Sequence, residues 1–207
     1  MRIGVYGGSF NPVHLGHLLA AECCREQAGL DRVLFVPAAT PPHKQDHPLA
    51  SADDRVAMLH LAVGGHDAFG VSMVELERGG VSYTIDTLAS LQDQFGDARL
   101  SLILGPDSLA LLPSWREPEG ILGRWEILAV ERHGLDDVAT IVREPRLADL
   151  LGPQRAATIV ATRVVMPAIG IRASDLRTAV AAGKSIRFQT PRAVEAYIAA
   201  HAVYRQA

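Results

Sequence analysis

Short apolar, β-branched runs recur along the chain, separated by longer stretches of helix-forming residues. Arg2-Ile3-Gly4-Val5-Tyr6 reads as a buried strand, and after a glycine turn Leu18-Leu19-Ala20-Ala21-Glu22 reads as helix. Gly29 stops that helix, and Arg32-Val33-Leu34-Phe35-Val36-Pro37 makes a second strand. Ser51-Ala52-Asp53-Asp54 has the form of a capping box. It opens a helix that runs to about Gly64, with Val56, Leu59, Leu61 and Val63 as apolar positions; Arg55 is either a surface residue, the expected reading, or a support for the site. Phe69 to Glu75 is a third strand, closed by polar residues and Gly79-Gly80, and Ser82 to Leu88 begins another helix. Leu100-Ser101-Leu102-Ile103-Leu104 carries the clearest buried-strand pattern, with Trp125 to Val130 and Arg163 to Pro167 as fifth and sixth strands. Between Arg132 and Arg163, apolar clusters near Val138 and Leu150 imply a helix or two. Ser174 caps a helix through Ala182, and Thr190-Pro191 opens a last one, with proline at its favoured first position and Val194, Tyr197, Ile198 and Val203 on its apolar side. Repeated units of strand followed by helix predict an α/β fold, a doubly wound parallel sheet with helices on both faces, right-handed crossovers and a single domain over residues 1–207.

Composition narrows the partners. A chain of 207 residues, 48% of them hydrophobic, can build a sizeable core without disulfides or a structural metal. A net charge of -3 removes the global electrostatic case for nucleic acid or an anionic membrane, and leaves room for a local basic pocket that takes a small phosphate ligand. Arg2 is followed by a strand-like run and not by a signal-peptide core, and no apolar run approaches the roughly 20 residues of a spanning helix. Cys23 and Cys24 are sequence neighbours, a poor arrangement for a disulfide, so a cytoplasmic location is expected. The sequence assigns no oligomeric state.

The chemistry concentrates in Gly7-Gly8-Ser9-Phe10-Asn11-Pro12-Val13-His14-Leu15-Gly16-His17. Two glycines between a strand and a helix let backbone approach a ligand closely, and the helix start behind them offers unpaired N–H groups and partial positive charge. Three-residue spacing puts His14 and His17 on one side of the helix start, where imidazoles can donate to phosphoryl oxygens, and Gly16 leaves the approach clear. A His-x-x-His pair also occurs in zinc sites, but those need further ligands and Cys23 and Cys24 lack ligand spacing, so no metal ligands are assigned. The stretch has neither the Gly-Lys-Ser/Thr of a Walker loop nor the Gly-x-Gly-x-x-Gly spacing of dinucleotide-binding turns. Further along, Pro41-Pro42 stiffen a loop in which His43 and Lys44 are either presented to a second phosphate or form a solvated connector. Asp107, just after the Leu100–Leu104 strand, is placed to bond a ribose hydroxyl or to cap the helix beginning at Ser108. Arg177 falls near a helix start, within reach of phosphates gathered there.

The Gly7–His17 stretch resembles the signature of the nucleotidyltransferases that transfer AMP or CMP to a phosphate. With Pro-Pro-His-Lys, Ser82-Tyr83-Thr84-Ile85-Asp86-Thr87-Leu88 and Gly105-Pro106-Asp107 followed by Trp115, the chain resembles the bacterial nicotinate-nucleotide adenylyltransferase family. The resemblance runs from Gly7 to Tyr204 with a gap between Arg132 and Arg163. It implies a Rossmann-like fold and transfer of AMP from ATP to nicotinate mononucleotide, with Mg²⁺ carried in on ATP. Nicotinamide mononucleotide, a phosphopantetheine acceptor, or non-catalytic nucleotide binding on the same fold are the alternatives. By the same resemblance His14, His17, Lys44 and Arg177 carry catalysis. The ATP side takes Gly7, Gly8, Ser9, Phe10 and Gly16 with the two histidines, joined by Gly105, Asp107, Ile171, Ser174 and Arg177. The mononucleotide side takes Ser9, Thr40, His43, Lys44, Tyr83 and Thr84, with Trp115 stacking on the pyridine ring. The family pattern Ile-Ser-Ser-Thr-x-Ile-Arg reads here Ile171-Arg172-Ala173-Ser174-Asp175-Leu176-Arg177, so Arg172 and Ala173 stand where two serines are usual.

Overall fold

The computed structural model describes residues 1–39, 49–135 and 137–205. Its strands are β1 Arg2–Gly8, β2 Arg32–Pro37, β3 Phe69–Val71, β4 Arg99–Leu104, β5 Glu126–Arg132 and β6 Val164–Met166. Between and after them lie α1 Leu15–Gln27, α2 Ala52–Val63, α3 Val74–Arg78, α4 Thr84–Phe95, α5 Pro106–Leu111, α6 Pro118–Arg124, α7 Val138–Ile141, α8 Pro145–Ala161, α9 Ala173–Ala181 and α10 Arg192–Ala200. The strands form one parallel sheet in the order β3-β2-β1-β4-β5-β6, a Rossmann-like order that reverses between β1 and β4. The chain divides into two compact units, one of Met1–Tyr6, Ala20–Leu34 and Tyr83–Ala168, the other of Gly7–Leu19, Phe35–Ser82 and Ile169–Ala207.

In the first unit, β1 pairs with β4 from Arg2↔Arg99 to Val5↔Leu102, and β4 with β5 from Ser101↔Glu126 to Leu104↔Ala129. Leu102, Ile103 and Leu104, like Ile127 to Val130, are buried on successive residues, as expected of parallel strands covered on both faces. Gly4 in the middle of β1 is a packing requirement: a Cβ there would lie 2.7 Å from Leu30 Cδ1 and 2.8 Å from Ile103 Cδ1. Gln27, at the end of α1, pairs its amide with Val165 of β6, donating to its carbonyl at 2.8 Å and accepting its N–H at 3.1 Å, and so satisfies strand groups with a side chain. The weakly patterned 132–163 region resolves into α7 and α8. The latter is broken at Gly152, whose φ of 66° and ψ of 166° are not helical, just before Pro153.

The second unit corrects two expectations. Strand β3 stops at Val71, and Val74 to Arg78 is helix: Glu75-Leu76-Glu77-Arg78 are good helix formers, and Gly79 ends the turn at φ 68°. Helix α2 begins as expected, Ser51 Oγ accepting the Asp54 N–H at 3.0 Å, but its inward face is Arg55, Met58, Leu59 and Val63, while Leu61 is exposed. Arg55 is therefore buried, not on the surface. Tyr197 of α10 donates to Asp54 Oδ1 at 2.9 Å and joins that helix to the start of α2.

Candidate active site

The two glycines, Gly7 and Gly8, are the last residues of β1. A Cβ on Gly7 would meet nothing within 4 Å, so the backbone there is bare to an approaching ligand. On Gly8 it would press on the Phe10 ring at 3.1 Å. Phe10 is buried and sits at φ 44°, the left-handed region that non-glycine residues seldom adopt; such strain persists only where the surroundings hold it. Its ring meets His17 edge-on with centroids 5.1 Å apart and packs on Phe35 at 5.6 Å. Phe10, expected on the ATP side, thus supports the turn and one histidine from below.

Helix α1 starts at Leu15, three residues earlier than its apolar pattern suggests, and this places the histidines. The His14 carbonyl accepts from the His17 and Leu18 N–H groups at 2.9 and 3.3 Å, so His14 occupies the cap and His17 the third helical position. In return the His14 N–H donates to His17 Nδ1 at 3.2 Å, the reciprocal bond that a glutamine or glutamate makes in a capping box. A backbone N–H can only donate, so Nδ1 is the unprotonated nitrogen and the proton of the neutral His17 ring sits on Nε2. The two imidazoles stack with centroids 3.7 Å apart and planes at 26°. Gly16 makes this possible: a Cβ there would lie 3.0 Å from His14 Nδ1 and 3.4 Å from Ile169 Cγ2. The glycine makes room for His14's own ring, where the sequence suggested room for the ligand.

His14 is 7% exposed, and its Nδ1 has no hydrogen-bond partner among the described residues. Burial holds the imidazole well below its ordinary value of 6.5, at about 4. Between those two values the unfolded chain binds a proton that the folded chain refuses, so stability falls as pH falls through that window and is unaffected above it. The loss reaches at most about 3 kcal/mol near pH 4. Urea denaturation at pH 7, 6 and 5 should show this slope, and His14→Gln should flatten it; an unchanged slope in the variant would assign the proton elsewhere.

The Asn11–Val13 segment is held from all sides. Asn11 Oδ1 accepts from the Ala50 N–H at 3.0 Å and from the Tyr204 hydroxyl at 2.8 Å, and the Asn11 carbonyl accepts from Arg177 Nη1 at 2.9 Å. Burial raises the Tyr204 hydroxyl above its ordinary range, which keeps it a neutral donor. Thr190 donates to the Val13 carbonyl at 2.9 Å, and the Leu15 N–H to the Gln189 carbonyl at 3.0 Å. Arg177 is thereby tied to the histidine-bearing segment. Ser174 is not the cap of α9. Arg172, extended at φ -122°, takes the cap position without a side-chain bond, its carbonyl accepting from Asp175 and Leu176, and Ser174 falls inside the first turn. Ile171 lies just before that cap, half-buried.

Asn11, Thr190 and Tyr204 had no assigned role at the sequence level, and Arg55 was expected on the surface with support of the site as the alternative. Only Arg55 left a signal, since it shares helical spacing with Met58 and Leu59.

The remaining candidates belong to the first unit. Tyr83 is the cap residue of α4 and Thr84 its first residue. The Arg116 guanidinium lies 4.8 Å above the Tyr83 ring and 3.7 Å from Asp86 Oδ2. Trp115, next to Arg116, is half-buried and ends the 3₁₀ turn Leu112–Ser114, its N–H bonded to the Leu112 carbonyl. Gly105 caps α5, and a Cβ there would meet nothing within 4 Å. Helix α5 begins at Pro106, so Asp107 is in the first turn and not its cap; that option closes. Thr40, His43 and Lys44 lie outside the described residues.

A bare glycine turn at the end of the central strand, feeding a helix start that carries two imidazoles, makes this a Rossmann-like α/β protein equipped for nucleotide phosphates. The chain belongs to the cytidylyltransferase-like family, whose model matches residues 5–179, and within it to the nicotinate-nucleotide adenylyltransferases. It is 42% identical over 206 residues to the probable nicotinate-nucleotide adenylyltransferase of Thermomicrobium roseum, covering 99% of this chain and 92% of that one. It is also 42% identical to the enzyme of that name from Salinibacter ruber, covering 99% and 98%. Among solved structures, Plasmodium falciparum nicotinic acid mononucleotide adenylyltransferase complexed with NaAD aligns with a TM-score of 0.74 at 16% identity, over 98% of this chain and 97% of that one. A putative nicotinate-nucleotide adenylyltransferase from Vibrio parahaemolyticus aligns at 0.70 with 19% identity, over 100% and 98%. At such identities the likeness is one of fold.

Proposed function

We propose that the chain transfers AMP from ATP to nicotinate mononucleotide, forming nicotinate adenine dinucleotide and pyrophosphate in NAD biosynthesis, as a single domain over residues 1–207. The observation that carries this reading is the His14–His17 pair, stacked at the start of α1 behind a glycine turn open to a ligand. The mononucleotide's phosphate oxygen attacks the α-phosphorus of ATP, the bond to the bridging oxygen breaks, and the electron pair leaves with pyrophosphate. The nucleophile is already an anion, so no general base or covalent intermediate is required, and positioning and charge stabilisation supply the acceleration.

His17 donates from Nε2 to the phosphoryl oxygens as charge builds on them, while His14, neutral at pH 7, fixes its partner's ring and adds a second imidazole to the ATP phosphates. Gly7, Gly8 and the first N–H groups of α1 line the phosphates, Arg177 steadies the triphosphate, and Ser9 and Lys44 position the mononucleotide's phosphate. The described donors are imidazoles, a guanidinium and backbone N–H groups, which suit phosphate oxygens and not a cation. Mg²⁺ would be brought in on ATP and would be held by phosphates and water, where it would neutralise charge on the triphosphate. Tyr83, Thr84 and Trp115 receive the pyridine ring.

Among the described residues no helix is long and apolar enough to cross a membrane. The free thiols of Cys23 and Cys24, the latter pushed up to about 12 by burial, suit the reducing cytoplasm where this reaction would run.

The test is pyrophosphate release from ATP and Mg²⁺ with nicotinate mononucleotide, in parallel with nicotinamide mononucleotide and phosphopantetheine, the product identified by mass. Preference for the acid is expected. Turnover only with another acceptor would move the assignment to that acceptor, and ATP binding without any product would make the chain a binding protein.

A further inference from the structure

The two ends of the 39–49 connector are bound to the glycine turn by an unusual arrangement around one side chain. At its entry, the Ala38 N–H donates to the Gly8 carbonyl at 2.9 Å, and at its exit the Ala50 N–H donates to Asn11 Oδ1 at 3.0 Å. The carbonyls of those same two residues both turn to Arg55. Its Nη1 donates to Ala38 at 2.8 Å and to Ser9 at 3.1 Å, and its Nε donates to Ala50 at 3.2 Å. Arg55 is 2% exposed, on a helix that otherwise buries Met58, Leu59 and Val63 on that side. A buried guanidinium is costly unless its donors are satisfied, and here they are spent on backbone carbonyls of three separate segments. Burial pushes the guanidinium below its ordinary value, and Glu75, itself buried on α3, offsets this only in part.

We infer that Arg55 is a positioning residue for the mononucleotide side of the site, acting through the backbone of Ser9 and of both connector ends without touching substrate. This rests on the proposed reaction, in which Ser9, although it also borders ATP, positions the mononucleotide's phosphate while the histidines and Arg177 meet ATP. Only the planar fork of arginine reaches all three carbonyls at once; a lysine keeps the charge but offers a single nitrogen at the end of its chain. The histidines are fixed by other bonds, through α1, Thr190 and Gln189, so the larger effect falls on the mononucleotide, with a smaller one reaching ATP through Ala50, Asn11 and Arg177.

The experiment compares wild type, Arg55→Lys and Arg55→Met by steady-state kinetics with each substrate varied in turn, and by thermal unfolding. Losing charge-assisted bonds to the carbonyls should lower kcat/KM for the mononucleotide by roughly 10- to 100-fold while KM for ATP stays within about twofold. The lysine variant should suffer less than the methionine variant. Equal rises in both KM values, or a lowered melting temperature with unchanged kinetics, would reduce Arg55 to general stability and overturn the inference. So would failure of even Arg55→Lys to show a cooperative melt at 15 °C, since the residue would then be a requirement of the fold. Absence of dinucleotide product from the wild type would instead sink the proposed reaction.

Discussion

Replacing His17 with alanine should lower kcat by roughly 10²- to 10³-fold, the usual loss when one preorganised donor to developing charge is removed. The same change also deletes the acceptor for the His14 N–H, and so costs about 1 kcal/mol at the start of α1. These two losses are separable. Glutamine is the residue that capping boxes use at this position, and His17→Gln should restore the helix start, and with it the melting temperature, without restoring turnover. Single-turnover rates and thermal unfolding of the two variants read the outcome directly. Near-normal turnover in either folded variant would remove His17 from the chemistry and leave it a capping residue.

Enlarging Gly16 is expected to have the next largest effect, and it acts through its neighbour. An alanine Cβ would sit 3.0 Å from His14 Nδ1, 3.1 Å from Cε1 and 3.4 Å from Ile169 Cγ2, so the ring must yield by a few tenths of an ångström while the isoleucine is met at ordinary contact distance. Valine would force more. Because the His14 ring lies against His17 at 3.7 Å, it cannot yield without disturbing the donor. Misplacement of about 1 Å costs on the order of 10² in rate, so Gly16→Val should lose roughly 100-fold in kcat, with Gly16→Ala intermediate. Helix propensity runs the other way, since both substitutions favour helix over glycine. A variant more stable yet slower than wild type would be the clearest result; unchanged kcat in Gly16→Val would show that the stack has no part in the reaction.

The strands and the glycine turn were legible because each is written in consecutive residues. Ile3 to Tyr6, Leu100 to Leu104 and Ile127 to Val130 are apolar runs that only a covered parallel strand accommodates, and Ser51 announced its helix through a local bond to Asp54. Errors arose where local patterns were ambiguous. On α2 the apolar positions Val56, Leu59, Leu61 and Val63 span more than one face, and choosing among them turned Arg55 outward. After Val71 the residues Val74-Glu75-Leu76 alternate like a strand, yet the glutamates and Arg78 prefer the helix that Gly79 then ends. The histidine spacing was visible, but not the stack, because that depends on α1 beginning at Leu15 with His14 as its cap. Roles that depend on distant partners left no local trace at all, and Asn11, Thr190 and Tyr204 are of that kind.

Asn11 binds Ala50, Arg177 and Tyr204 across sequence separations of 39, 166 and 193 residues. Closing loops of that length must precede any reward from the contacts they bring, so contacts of this kind form late. The segment proposed here to hold the phosphates can therefore take its shape only after the C-terminal portion has docked. If that segment is the triphosphate site, partly folded chains, even with the early strands and helices in place, would have none to offer. Nucleotide binding in this protein is thus a report on the last event of folding, and its recovery during refolding would time that event more faithfully than the return of helical signal.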